Sequence, residues 1–350
     1  MLLNFHFFLV GILCLVGLAA CAAPTAVPTP VPTLSISPVT ATPVATVVVE
    51  SAASHTAVQL PADTAVPTAT PTLPPTNTPL LSVAPTATDT PTATPTPLPL
   101  LNGLTIQDIL IMDEATAANM RQIFANGQQW GRDPRAYSVL GDSTVMTPHL
   151  LARFDRDDLI LGEYAYLQPT VAHFQGVWKR FGVATNYGLH AWSVFDPLWA
   201  DKKWCVPNED LLTCEFRLQN PAFLFVRLGS NDAGSPSGFS YNVRLVIEQA
   251  IANGIVPIII TKPDRFEGDD TNNEILRQLA ADYLVPIWDL DRVAETLPGK
   301  GLDTDQVHTV EYPANDFTDP AVFSSGHAMQ DLAGLMVLHT ILETVQASGN

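Results

Sequence analysis

Residues 222–232 read Ala-Phe-Leu-Phe-Val-Arg-Leu-Gly-Ser-Asn-Asp, and they decide the fold. Seven residues, nearly all apolar, run into a polar turn without any helical spacing, as a strand buried on both faces does. Working outward, Gly254-Ile-Val-Pro-Ile-Ile-Ile260 has the same character, and Leu284-Val-Pro-Ile-Trp288 is a shorter version. Upstream, Ala136-Tyr-Ser-Val-Leu140 is a short buried strand that ends in Gly141-Asp142-Ser143, and a weaker strand is predicted around Val177–Ala184. Helical patterns separate them: one or two helices over Ile106–Gly127, then Glu163–Phe174, Tyr241–Asn253, Asn272–Tyr283 and Gln330–Gln346. Strand alternating with helix implies right-handed crossovers and a sheet covered on both faces. The expected fold is therefore α/β: a three-layer α/β/α sandwich with a five-stranded parallel sheet, flavodoxin-like in outline. Ligands of such sheets bind at the carboxyl ends of the strands, where the two polar clusters lie.

The chain has 350 residues, and its composition divides it in three. Residues 1–20 contain one apolar run ending in Leu18-Ala19-Ala20-Cys21, which reads as a secretory signal peptide with small residues before its cleavage point. Residues 21–100 are dominated by Thr, Pro, Ala and Val, in runs such as PTATPTLPPTNTP. Such a segment buries too little apolar surface to offset its ordering entropy and reads as an extended, disordered linker. Residues 101–350 have globular composition and are long enough for one good-sized core.

Net charge is −18, of which Glu50, Asp63 and Asp89 are the only charges in the first hundred residues, leaving −15 on the folded part. A nucleic-acid partner needs a basic footprint, and none is visible. Cys205 and Cys214 are the only cysteines beyond residue 21. An even pair bracketing a short loop suggests a disulfide outside the cytoplasm, and a metal site is the competing reading, with no histidine near the pair.

Three clusters carry chemistry. Ser143 in Gly-Asp-Ser is a candidate nucleophile on an exposed turn, although the same tripeptide is ordinary turn chemistry. Asn231 in Gly-Ser-Asn-Asp can donate its side-chain NH2 to an oxyanion, or cap the next segment. Asp305-Gln-Val-His308 spaces a carboxylate so that it reaches an imidazole from one loop.

Taken in this order, after the first strand, after a middle strand and before the last helix, the clusters resemble the SGNH hydrolases, the GDSL-like lipase and esterase superfamily. The resemblance spans residues 101–350 and includes Met120–Gly127 and the Cys205…Cys214-Glu-Phe-Arg run. It implies an ester-bond serine hydrolase. Ser143 would be nucleophile and oxyanion donor, Asn231 and Gly188 the other oxyanion donors, His308 the general base and Asp305 its orienting carboxylate. Gly182 is an alternative to Gly188, and His327, in Phe323-Ser-Ser-Gly-His327, an alternative to His308. His190 beside Gly188 is a pocket-lining candidate or a plain loop residue. Position 144 is Thr where Leu gives the superfamily its name.

Cys21 resembles the lipidated cysteine of bacterial lipoproteins, although the segment before it lacks Lys and Arg, and an uncleaved membrane anchor is the other reading. Either places the domain outside the cytoplasm. The expected partners are an ester substrate, with acylated polysaccharide the favoured class from location, and the membrane through the lipid anchor. No cofactor and no metal are expected. Trp192, Phe195, Trp199 and Trp204 cluster after Gly188, as a sugar-stacking platform or as packing for an insert. A glycan-binding module without turnover and an acyltransferase are the rival functions on the same fold.

Overall fold

The computed structural model describes residues 97–347. The signal-peptide reading of residues 1–20, the lipidation reading of Cys21 and nearly all of the linker lie outside the described residues. Leu98 and Leu100 are half exposed, whereas Leu101 is fully buried and pairs its backbone with Leu104.

Five strands form one sheet: β1 (Leu110–Ile111), β2 (Asp133–Gly141), β3 (Pro221–Arg227), β4 (Val256–Ile260) and β5 (Ile287–Trp288). Their spatial order is β1-β5-β4-β3-β2. The strands β2 to β5 are mutually parallel, but β1 pairs antiparallel with β5, so the sheet is mixed rather than wholly parallel. The reason lies in residues 106–113. Ile106, Ile109 and Leu110 have helical spacing, yet α1 (Ile106–Ile109) stops after one turn. Asp113 then caps α2 (Glu114–Gln129) by accepting the Thr116 N–H, which leaves Leu110 and Ile111 extended between two helices. This pair meets the open edge of β5, Leu110 opposite Trp288 and Ile111 opposite Ile287.

The strand expected at Val177–Ala184 does not form; the stretch makes turns, and only Thr185 bridges to Gly141. A buried carboxylate replaces the missing ladder. Glu215 accepts the N–H groups of Val183 (2.7 Å) and Ala184 (3.3 Å), so these donors need no partner strand. The segment expected to be helical at Glu163–Phe174 is a 3-10 turn, Gly162–Leu167, followed by α3 (Gln168–His173).

The remaining helices are α4 (Leu211–Gln219), α5 (Pro236–Ala252), α6 (Thr271–Tyr283), α7 (Leu290–Ala294) and α8 (Gly326–Gln346). Every residue of β3 and β4 is buried, as the unbroken apolar runs require. Phe223 and Phe225, two apart and so on one face, pack on Phe124 and Phe174 and on Tyr137 and Trp288. The helix α8 is buried around most of its circumference and touches α1, α2, α3 and α7, while α5 packs on α6 and β4. This core holds the carboxyl ends of β2, β3 and β4 in register, and the loops that leave them face one side.

Candidate active site

β2 ends at Gly141, where any Cβ would meet Val145 at 2.4 Å and the Arg227 carbonyl oxygen at 2.5 Å. Only glycine lets the turn start this close to β3. Asp142 then folds back: its Oδ1 accepts the Thr144 N–H (3.0 Å) and hydroxyl (2.6 Å). Asp142 and Thr144 are buried by this, and Ser143 between them is the partly exposed residue of the turn.

The Ser143 hydroxyl lies 2.9 Å from His308 Nε2, and His308 Nδ1 lies 2.6 Å from Asp305 Oδ2. With the proton placed on Nδ1 to donate to the carboxylate, Nε2 is left to accept from the Ser143 Oγ–H. Asp305 Oδ1 also accepts the N–H groups of Val307 and His308. The His308 hydrogen bond, and then these two backbone donors, hold the Asp305 carboxyl down at about 2. The loop is closed on itself: Asp303 donates its N–H to the His308 carbonyl, and Val310 donates to Gly301. Gln306 takes a left-handed conformation (φ 59°) at its tip.

Asn231 reaches the same turn from β3. Its Nδ2 donates to Asp142 Oδ2 (3.1 Å) and to the Leu189 carbonyl (3.3 Å). The loop beneath it is tied down by buried polar groups. Asn272 donates to the Gly229 carbonyl, and the Ser230 hydroxyl donates to Asp264, which is paired with the fully buried Lys262. Asp232, buried next to Asn231, accepts the Ala191 N–H and faces His190 at 3.7 Å. Burial pushes the Asp232 carboxyl up, against the opposing pull of the Ala191 N–H.

The two glycines separate. Gly188 has φ 65° and precedes Leu189, whose carbonyl accepts from Asn231. Gly182 lies instead against the Glu215 carboxylate, which a Cβ would meet at 3.3 Å, and its smallness serves that contact. The two histidines separate as well. His327 faces the buried Arg153–Asp331 ion pair, with Arg153 Nη2 at 3.3 Å and Asp331 Oδ2 at 3.5 Å, rather than Ser143.

Cys205 and Cys214 are joined by a disulfide. Glu209 lies within reach of both sulfurs, but its carboxylate is paired with Arg217 and the sulfurs with each other. Trp192 stacks on His190, meets Trp199 edge-on and is half exposed, as is Trp204. Three residues of the site escaped sequence reasoning: the Asp142 side chain as the partner of Asn231, Glu215 as the anchor of residues 183–184, and Arg227, buried one strand over from Gly141. A charged residue inside an apolar run was the one signal for Arg227. Glu215, in the Cys214-Glu-Phe-Arg run, carried none.

No protein-family model matches the chain, and no curated protein matches it. The chain is similar to several solved structures of low identity. One is the acetylxylan esterase Axe2 from Geobacillus stearothermophilus, 13% identical, with 59% of this chain and 95% of that chain covered and a TM-score of 0.37. Another is a GDSL-like lipase from Bacteroides thetaiotaomicron, 13% identical over 64% of this chain and 98% of that one, TM-score 0.35. A third, from Desulfitobacterium hafniense, is described as lipolytic and of the G-D-S-L family; it is 15% identical over 58% of this chain and 98% of that one, TM-score 0.34.

Proposed function

We propose that residues 101–350 form a three-layer α/β/α serine hydrolase of the SGNH type that cleaves carboxylic esters through an acyl-serine intermediate. The observation that carries this reading is the unbroken line Asp305–His308–Ser143, with contacts of 2.6 and 2.9 Å. A hydroxyl becomes a useful nucleophile when a base takes its proton as it attacks, and a carboxylate on the far side of the base stabilises the imidazolium that results.

In the proposed reaction Ser143 Oγ attacks the ester carbonyl and its proton passes to His308 Nε2. The carbonyl oxygen becomes an oxyanion, held by the Ser143 N–H, the Gly188 N–H and the Asn231 NH2. Collapse expels the alkoxide, which takes the proton from His308 and leaves as the alcohol. Water then gives its proton to His308 and attacks the acyl carbon. A second collapse releases the carboxylic acid and returns the proton to Ser143. Asp305 stays ionised throughout, in keeping with a carboxyl held at about 2.

The same proposal places the domain outside the cytoplasm, lipid-anchored through Cys21 by way of the Pro- and Thr-rich linker, and gives it an acylated polysaccharide as substrate. The disulfide between Cys205 and Cys214 suits an oxidising compartment. The half-exposed Trp192, in the segment that follows Gly188 and stacked on His190, suits a sugar ring, whereas the Trp204 ring is covered by Lys203. Hydrolysis of p-nitrophenyl acetate by the full chain tests the reading. The wild type is expected to turn over and Ser143→Ala, equally folded, is expected not to. Equal rates in the two proteins would rule out Ser143 as nucleophile.

A further inference from the structure

The Asn231 carboxamide has two N–H donors, and an oxyanion role needs one of them aimed at the reacting carbonyl. A free amide at a strand end would rotate. Here Nδ2 donates to Asp142 Oδ2 at 3.1 Å and to the Leu189 carbonyl at 3.3 Å, so an oxyanion would take the second N–H by replacing the longer of the two contacts while Asp142 holds the first. Asp142 is 1% exposed, and its second oxygen is locked by the Thr144 N–H and hydroxyl, so the carboxylate cannot turn away.

Such an arrangement puts a buried negative charge beside a place where negative charge would develop. Arg227 lies at the strand position paired with Gly141, is 1% exposed, and gives Nη1 to Gln330. Its Nε and Nη2 have no partner among the described residues. Burial lowers its pKa, and the charges of Asp142 and Asp264 act in the opposite sense. A buried guanidinium with unused donors, one strand away, offsets the charge of the carboxylate that orients the amide.

We propose that Asp142 is a positioning residue that acts through Asn231, setting its amide for an oxyanion, with Arg227 balancing the carboxylate charge. This rests on the esterase reading above. It assigns the middle residue of Gly-Asp-Ser a task separate from forming the turn.

Asp142→Asn tests it, because the isosteric amide has one acceptor where the carboxylate has two. If its oxygen keeps Thr144, its NH2 faces the Asn231 NH2, donor against donor. The full chain is assayed with p-nitrophenyl acetate as wild type, Asp142→Asn, Asn231→Ala and the double variant. Asp142→Asn is expected to lower kcat about 10–100-fold with KM within twofold, a part of what losing a whole oxyanion donor costs. In the Asn231→Ala background the same change is expected to alter kcat less than twofold, since its target is gone. Equal losses in both backgrounds, or no loss in the first, would overturn the proposal.

A second measurement covers a variant that does not fold and a chain that does not turn over. In 15N-labelled wild-type protein the two Asn231 NH2 protons are expected to be protected from exchange with solvent, and to lose that protection in Asp142→Asn. An Asn231 amide that exchanges with solvent as fast as an exposed one would overturn the proposal. Turnover that survives Ser143→Ala would sink the esterase reading and leave this amide result to stand or fall separately.

Discussion

Ser143 and Asn231 stand on strand ends whose neighbours Gly141, Asp142, Ser230 and Asp232 are all buried, whereas Asp303 through Gln306, just before His308, are exposed. The side of the proposed nucleophile is held by contacts between residues far apart in sequence. Glu215 holds residues 183–184, Asp142 holds Asn231, and Asn272 and Asp264 hold Gly229 and Ser230. The side of the proposed base is held by its own loop, through Asp305 to the Val307 and His308 N–H groups and Asp303 to the His308 carbonyl. A rigid half and a locally closed half thus meet at one 2.9 Å contact. Damage to the first half should cost stability as well as rate, and damage to the second should cost mainly rate.

The largest expected effect sits at the junction. Ser143→Ala is expected to lower kcat by about 10⁶, with His308→Ala close behind and the double variant no worse than either, because the groups act as a unit. Additive losses in steady-state kinetics would break the link between the halves. Asp305→Asn comes next, at about 10²–10⁴-fold in kcat. Its urea midpoint should stay close to wild type, a change within about 0.5 kcal/mol as for other exposed sites. Glu215→Ala inverts that pattern. It strips the acceptor from the Ser138 hydroxyl and two backbone N–H groups in a site 1% exposed. A loss of about 2–4 kcal/mol in urea unfolding is expected, from several buried donors left unpaired at once. A loss no larger than that of Asp305→Asn would erase the contrast.

The smallest effect is in pH, and the two carboxylates differ in sign. Asp305 is depressed to about 2, so its stabilising contribution is present above its unfolded value and fades as pH falls from about 4 towards 2. Glu215 is raised by burial, the largest cause. Its titration favours the fold below the unfolded value and works against it as pH rises through the raised one. The small Tm difference between wild type and Asp305→Asn should therefore narrow as pH falls from about 4 through 2, and a difference that does not narrow would contradict the Asp305 assignment.

The same contrast explains what the sequence made legible. The locally closed half is written in one tetrapeptide, Asp305-Gln-Val-His308, and spacing alone suggested its internal hydrogen bond. β3 and β4 were legible because both faces are buried and the apolar runs are unbroken. The antiparallel β1 was hidden, since two residues between adjacent helices carry no period of their own. The absent strand at 177–184 was misread for a related reason: its donors go to a carboxylate more than thirty residues away. Asp142 was read as part of a turn, which it is, but its second oxygen serves Asn231 across 89 positions. Sequence spacing has no means of displaying such a contact.

Labelling with a fluorophosphonate tests the central claim most directly, because it needs only a serine activated by a neighbouring base. Mass spectrometry of the labelled full chain is predicted to find a single adduct on Ser143, formed quickly at neutral pH and lost in His308→Ala. No adduct, or an adduct that forms on Ser143 at the same rate without His308, would contradict the account.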